Sequence, residues 1–416
     1  MLLASNSYFT VIAFSVIVIL SYFFNLLAKK TQIPSVLMLI VLGILIKQGM
    51  TYLGLPEIDY FPTLEVLGIV GLIMIVLEAA LDLKLTKEKT GLIVKSFSLA
   101  LISLVVTSLA CAFIINYFII EDPMISLVYA IPVSILSSAI IIPSVVNLKE
   151  DKKEFMVYES TFSDILGILF FYFLIGTDEG ASATTIATSV LGNIVLTITV
   201  AVAVSYGLIL VFQNITTQVK LFLLIAILLM LYAIGKLSGL SSLIIILIFG
   251  LILNNHELFF QGPFKKWLKR DKINHMLEDF HVVCLESAFV VRTFFFVIFG
   301  ITITLSTLLN WQVALTSLLL VASFYLIRYL FLRMIKGKDV LPELFIAPRG
   351  LITILLFFSI PDEMQVDNFD PGILMYTVII TSLIMTFGLI KWGTQRVVLP
   401  HGFKEEDMVE TDAAEE

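Results

Sequence analysis

The chain has 416 residues, of which 59% are hydrophobic and 14% charged, with a formal net charge of -7, and its mean hydropathy is +1.03. This lies outside the range of soluble globular domains, and the apolar runs are continuous, which excludes the alternating strands of an outer-membrane barrel. An all-α, polytopic membrane protein is expected, with the lipid bilayer as its surroundings and no nucleic-acid partner.

The first apolar run, "YFTVIAFSVIVILSYFFNLL", is too long for a signal-peptide core and lacks a small-residue cleavage site, so it counts as a mature span. Spans follow near 33–49, 64–81, 95–118, 124–147, 156–176, 188–212, 218–235, 240–254, 280–304, 312–333, 342–360 and 372–395. With the first at 8–27 there are thirteen, each about long enough to cross roughly 30 Å of hydrocarbon. Cys111 and Cys284 have no metal-ligand spacing and are read as packing residues. Alternate connections carry the cations, among them Lys29 and Lys30, Lys149 to Lys153, Lys265 to Lys272, and Arg333 to Lys338. The positive-inside rule therefore expects a multi-pass protein of the cell (inner) membrane, with its N-terminus outside and its C-terminus cytoplasmic. The last segment, 401–416, is expected to be a short, disordered acidic tail. There is no phosphate-binding loop and no dinucleotide fingerprint, so an ATP-driven pump is not expected and no enzyme activity is assigned.

Several ionisable residues fall well inside the spans: Glu78 in the third, Glu159 and Asp164 in the sixth, Glu286 and Arg292 in the tenth, and Arg349 in the twelfth. A carboxylate at the centre of a membrane helix costs roughly 2.5 to 3.5 kcal/mol on insertion scales, so such residues mark function by default. Asp164 lies eleven residues beyond Lys153, and Arg349 eleven beyond Lys338; each is about 16 Å deep from the same side. Arg328, near a helix end, is expected to snorkel to the interface. On the sixth span Glu159, Ser160, Ser163 and Asp164 share one sector of the helix. Their hard oxygen atoms, without histidine or thiol nearby, suit a monovalent cation or a proton.

Two spans carry helix breakers. The fifth holds Pro132, the Ser137-Ser138 pair and Pro143, and the twelfth holds Pro348-Arg349-Gly350. Unwound backbone at membrane depth is tolerated only where it lines a cavity or packs in protein. The two spans run in opposite directions, which predicts an inverted repeat: spans four to six recur as eleven to thirteen, with two discontinuous helices crossing at a substrate site.

These residues resemble the monovalent cation:proton antiporter superfamily, nearest its sodium/proton exchangers. The family's E-S-x-x-N-D is matched by "ESTFSD" at 159–164, its third-span motif by "LEAALDL" with Glu78, and its crossing helix by "APRGL" with Arg349. "SGLSSLIIILIFGLILNN" and "VRTFFFVIFGI" are similar to its ninth and tenth spans. Two positions depart from the pattern. Ser163 replaces an Asn, and "SSAIII" stands where T-D-P is usual, more like the potassium-efflux branch.

The resemblance implies exchange of Na+ or K+ for H+ by alternating access, with no cofactor beyond the transported ions. It implies an antiporter domain over 1–400, with transport helices near 95–176 and 312–395 and dimerisation or scaffold helices elsewhere, in a homodimer. Asp164 would carry the ion or proton, with Ser163, Ser160, Ser137 and Ser138 around it and Glu78 tuning access. Glu159 would pair with Arg349, whose charge also offsets the ends of the broken helices. Glu286 and Arg292 are further candidates, and His256, His275 and His281 lie on or beside the basic 255–280 loop. A cation channel, or an anion or organic-acid symporter on a similar fold, stays open as an alternative.

Overall fold

The computed structural model describes residues 7–31, 33–54, 61–176, 183–215, 220–238, 240, 242–261, 268–303, 310–366 and 368–393. The expected acidic tail, and Lys265 and Lys266 of the 255–280 loop, lie outside the described residues. Fifteen α-helices are seen among the described ones. The first four are α1 (Ser7–Thr31), α2 (Ser35–Tyr52), α3 (Phe61–Asp82) and α4 (Thr90–Phe118). Next come α5 (Pro123–Ser134), α6 (Ser138–Ser144), α7 (Glu150–Ile175), α8 (Ala183–Phe212) and α9 (Lys220–Leu237). Then follow α10 (Ser242–Asn254), α11 (His256–Phe259), α12 (Arg270–Thr302) and α13 (Trp311–Lys336), and finally α14 (Leu351–Phe358) and α15 (Gly372–Trp392). Among the described residues, ten stretches are long and apolar enough to cross a membrane, and each of the thirteen apolar runs overlaps a helix.

Local chemistry explains where these helices start and stop. Asp122 caps α5, accepting from the Met124 and Ile125 amides at 2.7 and 3.0 Å, and Pro123 sits at the first helical position, where a missing N–H costs nothing. Asn310 caps α13 through the Gln312 amide at 3.0 Å. The fifth span breaks between its prolines rather than at either one: α5 ends at Ser134, residues 135–137 are extended, and α6 begins at Ser138. The twelfth span is helical only over Leu351–Phe358. Pro342 and Pro348 lack donors, and residues 341–350 form turns and irregular backbone that lead into α14.

Helices pack in two groups. α4, α5, α6 and α7 assemble with α13, α14 and α15, so that a long helix, a broken helix and a long helix occur twice. α2, α3 and α12 pack together, α10 packs on α3 and carries α8, and α9 touches α3, α10 and α12. The α2–α12 crossing is glycine-dependent: a Cβ on Gly43 would fall on the Val297 carbonyl oxygen and 2.8 Å from Gly300 Cα. Lys47 of α2 donates to the Ile303 carbonyl at 2.7 Å, satisfying the C-terminal end of α12. Between the groups, α3 and α10 touch α7, and α3 touches α14.

The α3–α4 connection is held from both sides. Asn255, just after α10, donates to the Leu83 carbonyl at 2.9 Å and accepts from the Leu85 amide at 2.6 Å. Tyr158 of α7 donates to the Lys84 carbonyl at 2.8 Å, and Lys89 pairs with Glu154.

Candidate ion site

The two breaks meet. The Ser137 amide donates to the Pro348 carbonyl at 3.0 Å, joining one non-helical segment to the other. Gly350 makes this approach possible, because a Cβ there would collide with the Ser137 hydroxyl and stand 2.9 Å from Ile140 Cδ1. Unwound backbone needs partners for its polar groups, and the neighbouring long helices supply them. Ser163 Oγ of α7 accepts from the Leu136 amide at 3.0 Å. Asp164 Oδ2 accepts from the Ser138 amide at 3.2 Å. In the second repeat Thr381 Oγ1 of α15 accepts from the Arg349 amide at 3.0 Å.

The charges at the break oppose the dipole ends they face. Arg349 Nε donates to the Val133 carbonyl at 2.7 Å, at the C-terminal end of α5, and Nη1 donates to the Ala347 carbonyl at 3.2 Å. Its guanidinium also lies over the Phe324 ring at 4.2 Å. Asp164 meets the amide that opens α6. Asp164 is buried, and among the described residues its Oδ1 has no hydrogen-bond partner. A buried carboxylate oxygen without a donor carries a desolvation cost that a proton or a bare cation removes.

The sequence residues divide at this point. Ser137, Ser138, Ser163 and Asp164 come together at the crossing. Ser160 is buried one turn away and donates to the Val157 carbonyl at 3.2 Å. Ser163 spends its oxygen on the Leu136 amide, so it braces the break. Glu78 of α3 accepts from Arg292 of α12 at 3.2 Å, and α3 packs against α7. Glu286 does not join: it is exposed on the face of α12 that carries Val282 and Val290.

The expected Glu159–Arg349 pair does not form. Glu159 accepts from Arg328 at 2.6 and 3.0 Å, a two-toothed contact between fully buried groups. Arg328 is therefore no snorkeller. The α13 helix continues to Lys336, and the chain then folds back so that the Glu343 carbonyl accepts from Arg328 Nε at 3.0 Å and from Nη2 at 2.9 Å. Glu343, which the sequence reading missed, is also buried, and its carboxylate meets Lys336 at 2.7 Å and Lys152 at 3.4 Å. Arg349 turns instead to backbone carbonyls. Between the two arginines a cavity of about 10 Å³, bordered by Ser103, Ser134, Glu159 and Ser163, has about the room one water needs.

The histidines are not equivalent. His256 is buried against the Leu253 carbonyl at 3.0 Å, His281 approaches Asp82 at 2.9 Å across the α3–α12 contact, and His275 is exposed. Both cysteines are free and buried, in keeping with packing.

Comparison with known proteins follows the same line. No curated protein sequence matches the chain. Among solved structures, the sodium proton antiporter MjNhaP1 from Methanocaldococcus jannaschii at pH 8 aligns with a TM-score of 0.67 and 19% identity, over 92% of this chain and 96% of that one. An electron-microscopy map of the same antiporter aligns with a TM-score of 0.64 and 19% identity, over 93% and 95%. At that identity the likeness establishes the fold. The model of the family described as "Sodium/hydrogen exchanger, transmembrane" matches residues 13–393. With nearly the whole span of helices matched, the chain belongs to the sodium/hydrogen exchanger family.

Proposed function

We propose that the chain exchanges one monovalent cation, Na+ in the first instance, for H+, with both competing for the carboxylate of Asp164. The observation that carries this reading is the buried Asp164, with one oxygen on the Ser138 amide and the other without a donor. Occupied by a proton, the group is neutral. Occupied by a cation, it is a compensated pair, and the further ligands in this reading are the hydroxyls of Ser137 and Ser138 at the crossing and of Ser160 one turn along α7. A site that cannot hold both ligands at once, exposed to each side in turn, couples their movements in opposite directions.

Alternating access in this reading is a movement of the α4–α7 and α13–α15 group, the transport unit, against the α2, α3, α8–α10 and α12 group as scaffold. Glu78, bound to Arg292 on that scaffold, sets the electrostatics of the route to Asp164. The protein works as a homodimer in the cell membrane, with its N-terminus outside and its C-terminus cytoplasmic, as the lysine distribution favours.

The test is ion-driven recovery of a quenched pH dye in proteoliposomes. Added Na+ should move protons out of acid-loaded vesicles, and Li+ and K+ added in turn rank the selectivity. Proton movement with K+ and none with Na+ would reassign the cation. No proton movement with any of them would overturn the exchange reading.

A further inference from the structure

A groove of about 580 Å³ lies between α13 and α15, away from the crossing. Leu318, Ala322 and Tyr325 of α13 and Leu383 and Phe387 of α15 form its sides, and Phe345 borders it from the second break. Leu318, Leu383 and Phe387 are each more than half exposed. Exposed apolar side chains on a membrane span face lipid, and here they line a concave groove rather than a convex helix face. One end is chemically different. Trp392 stacks on Phe345, with ring centres 4.8 Å apart and planes 5° from parallel, and Phe387 meets both rings edge-on. Exposed Lys391 places its ammonium 4.6 Å from the Trp392 ring and 5.5 Å from that of Phe387.

Length identifies the occupant. From Ile380, at the apolar end, to Lys391 is eleven residues of α15, or about 16 Å, which is half of the roughly 30 Å hydrocarbon core. The α15 wall of the groove, Ile380 to Phe387, covers about 10 Å of that length and Lys391 stands one turn beyond it, so groove and lysine together reach from the middle of the bilayer to its edge. Tryptophan and lysine at that edge are the residues that sit at headgroup level.

We propose that this groove binds one acyl chain of an anionic phospholipid, with the headgroup phosphate on Lys391. The bound chain lies against Tyr325 and Phe345. Tyr325 donates to the Thr381 carbonyl at 3.4 Å, and the Thr381 hydroxyl holds the Arg349 amide. The lipid thus backs the elements that fix the second break, and it stabilises the α13–α15 pair.

The experiment is native mass spectrometry of the full chain in detergent, titrated with phosphatidylglycerol or phosphatidylcholine. Three variants are compared with the unaltered protein: Ala322→Phe, which fills the groove, Lys391→Gln, and Lys30→Gln, an exposed cation on α1 as control. The unaltered protein and Lys30→Gln should retain phosphatidylglycerol over phosphatidylcholine. Lys391→Gln should weaken phosphatidylglycerol retention about fivefold, the factor carried by one near-surface cation, and Ala322→Phe should lose the bound lipid. Lys391→Gln alters only an exposed side chain, so it tests the site even where Ala322→Phe does not fold. Equal retention of the two lipids, or equal phosphatidylglycerol retention in Lys391→Gln and the unaltered protein, would overturn the proposal. So would a dimer that dissociates in Ala322→Phe with no change in lipid, since a second copy would then be the occupant.

Discussion

Glu159 and Arg328 make a buried two-toothed pair, and removing one partner of such a pair leaves an uncompensated charge. Glu159→Gln and Arg328→Gln should each cost about 3 to 5 kcal/mol, seen as a fall in melting temperature in detergent, while the double variant recovers much of the loss. Additive losses would show that the two side chains act separately. Asp164 was legible in the sequence because depth can be counted from Lys153 along a single helix. The Arg328 partnership was not, because it depends on where the chain goes after Lys336. Counting from the last apolar residue puts Arg328 near a helix end, whereas the returning 338–345 segment covers it and supplies the Glu343 carbonyl. Glu343 escaped notice for the same reason: it lies close to Lys336 and Asp339 in sequence and reads as a surface residue until the fold buries it.

The broken helices rely on their long neighbours for hydrogen-bond partners. Ser163→Ala would leave the Leu136 amide without its acceptor, and an unsatisfied buried amide costs about 1 to 3 kcal/mol. Ser160→Ala removes only a hydroxyl already bonded within its own helix, so its stability should change little, while the concentration of Na+ giving half-maximal exchange should rise. Thermal melts and Na+ titrations of both variants check the division, and equal destabilisation by the two would contradict it. Proline and glycine spacing located both breaks in the sequence to within a few residues. It did not show that the twelfth span is helical for only eight residues. A break is as long as its neighbours can satisfy, and those neighbours, Ser163, Asp164 and Thr381, come from other spans.

Over the whole molecule, the α3–α4 connection is one place where both helix groups grip the same stretch of backbone. Asn255→Ala removes one donor and one acceptor from that connection. It should lower the melting temperature by an amount equivalent to about 1 to 3 kcal/mol and leave Asp164 chemically unchanged; an unaltered melt would show that Tyr158 and Lys89 suffice to hold the segment. The arrangement of the groups follows from hydropathy and break positions only in outline, because lateral packing between apolar helices is decided by close approaches such as Gly43 on Gly300. The central claim is that Asp164 is where proton and cation compete, and the most direct measurement is Na+-driven proton movement in proteoliposomes containing Asp164→Asn beside the unaltered protein, at equal amounts of folded, inserted chain. The account predicts proton movement in the unaltered protein and none above protein-free vesicles in the variant; a variant that keeps most of its exchange would contradict it.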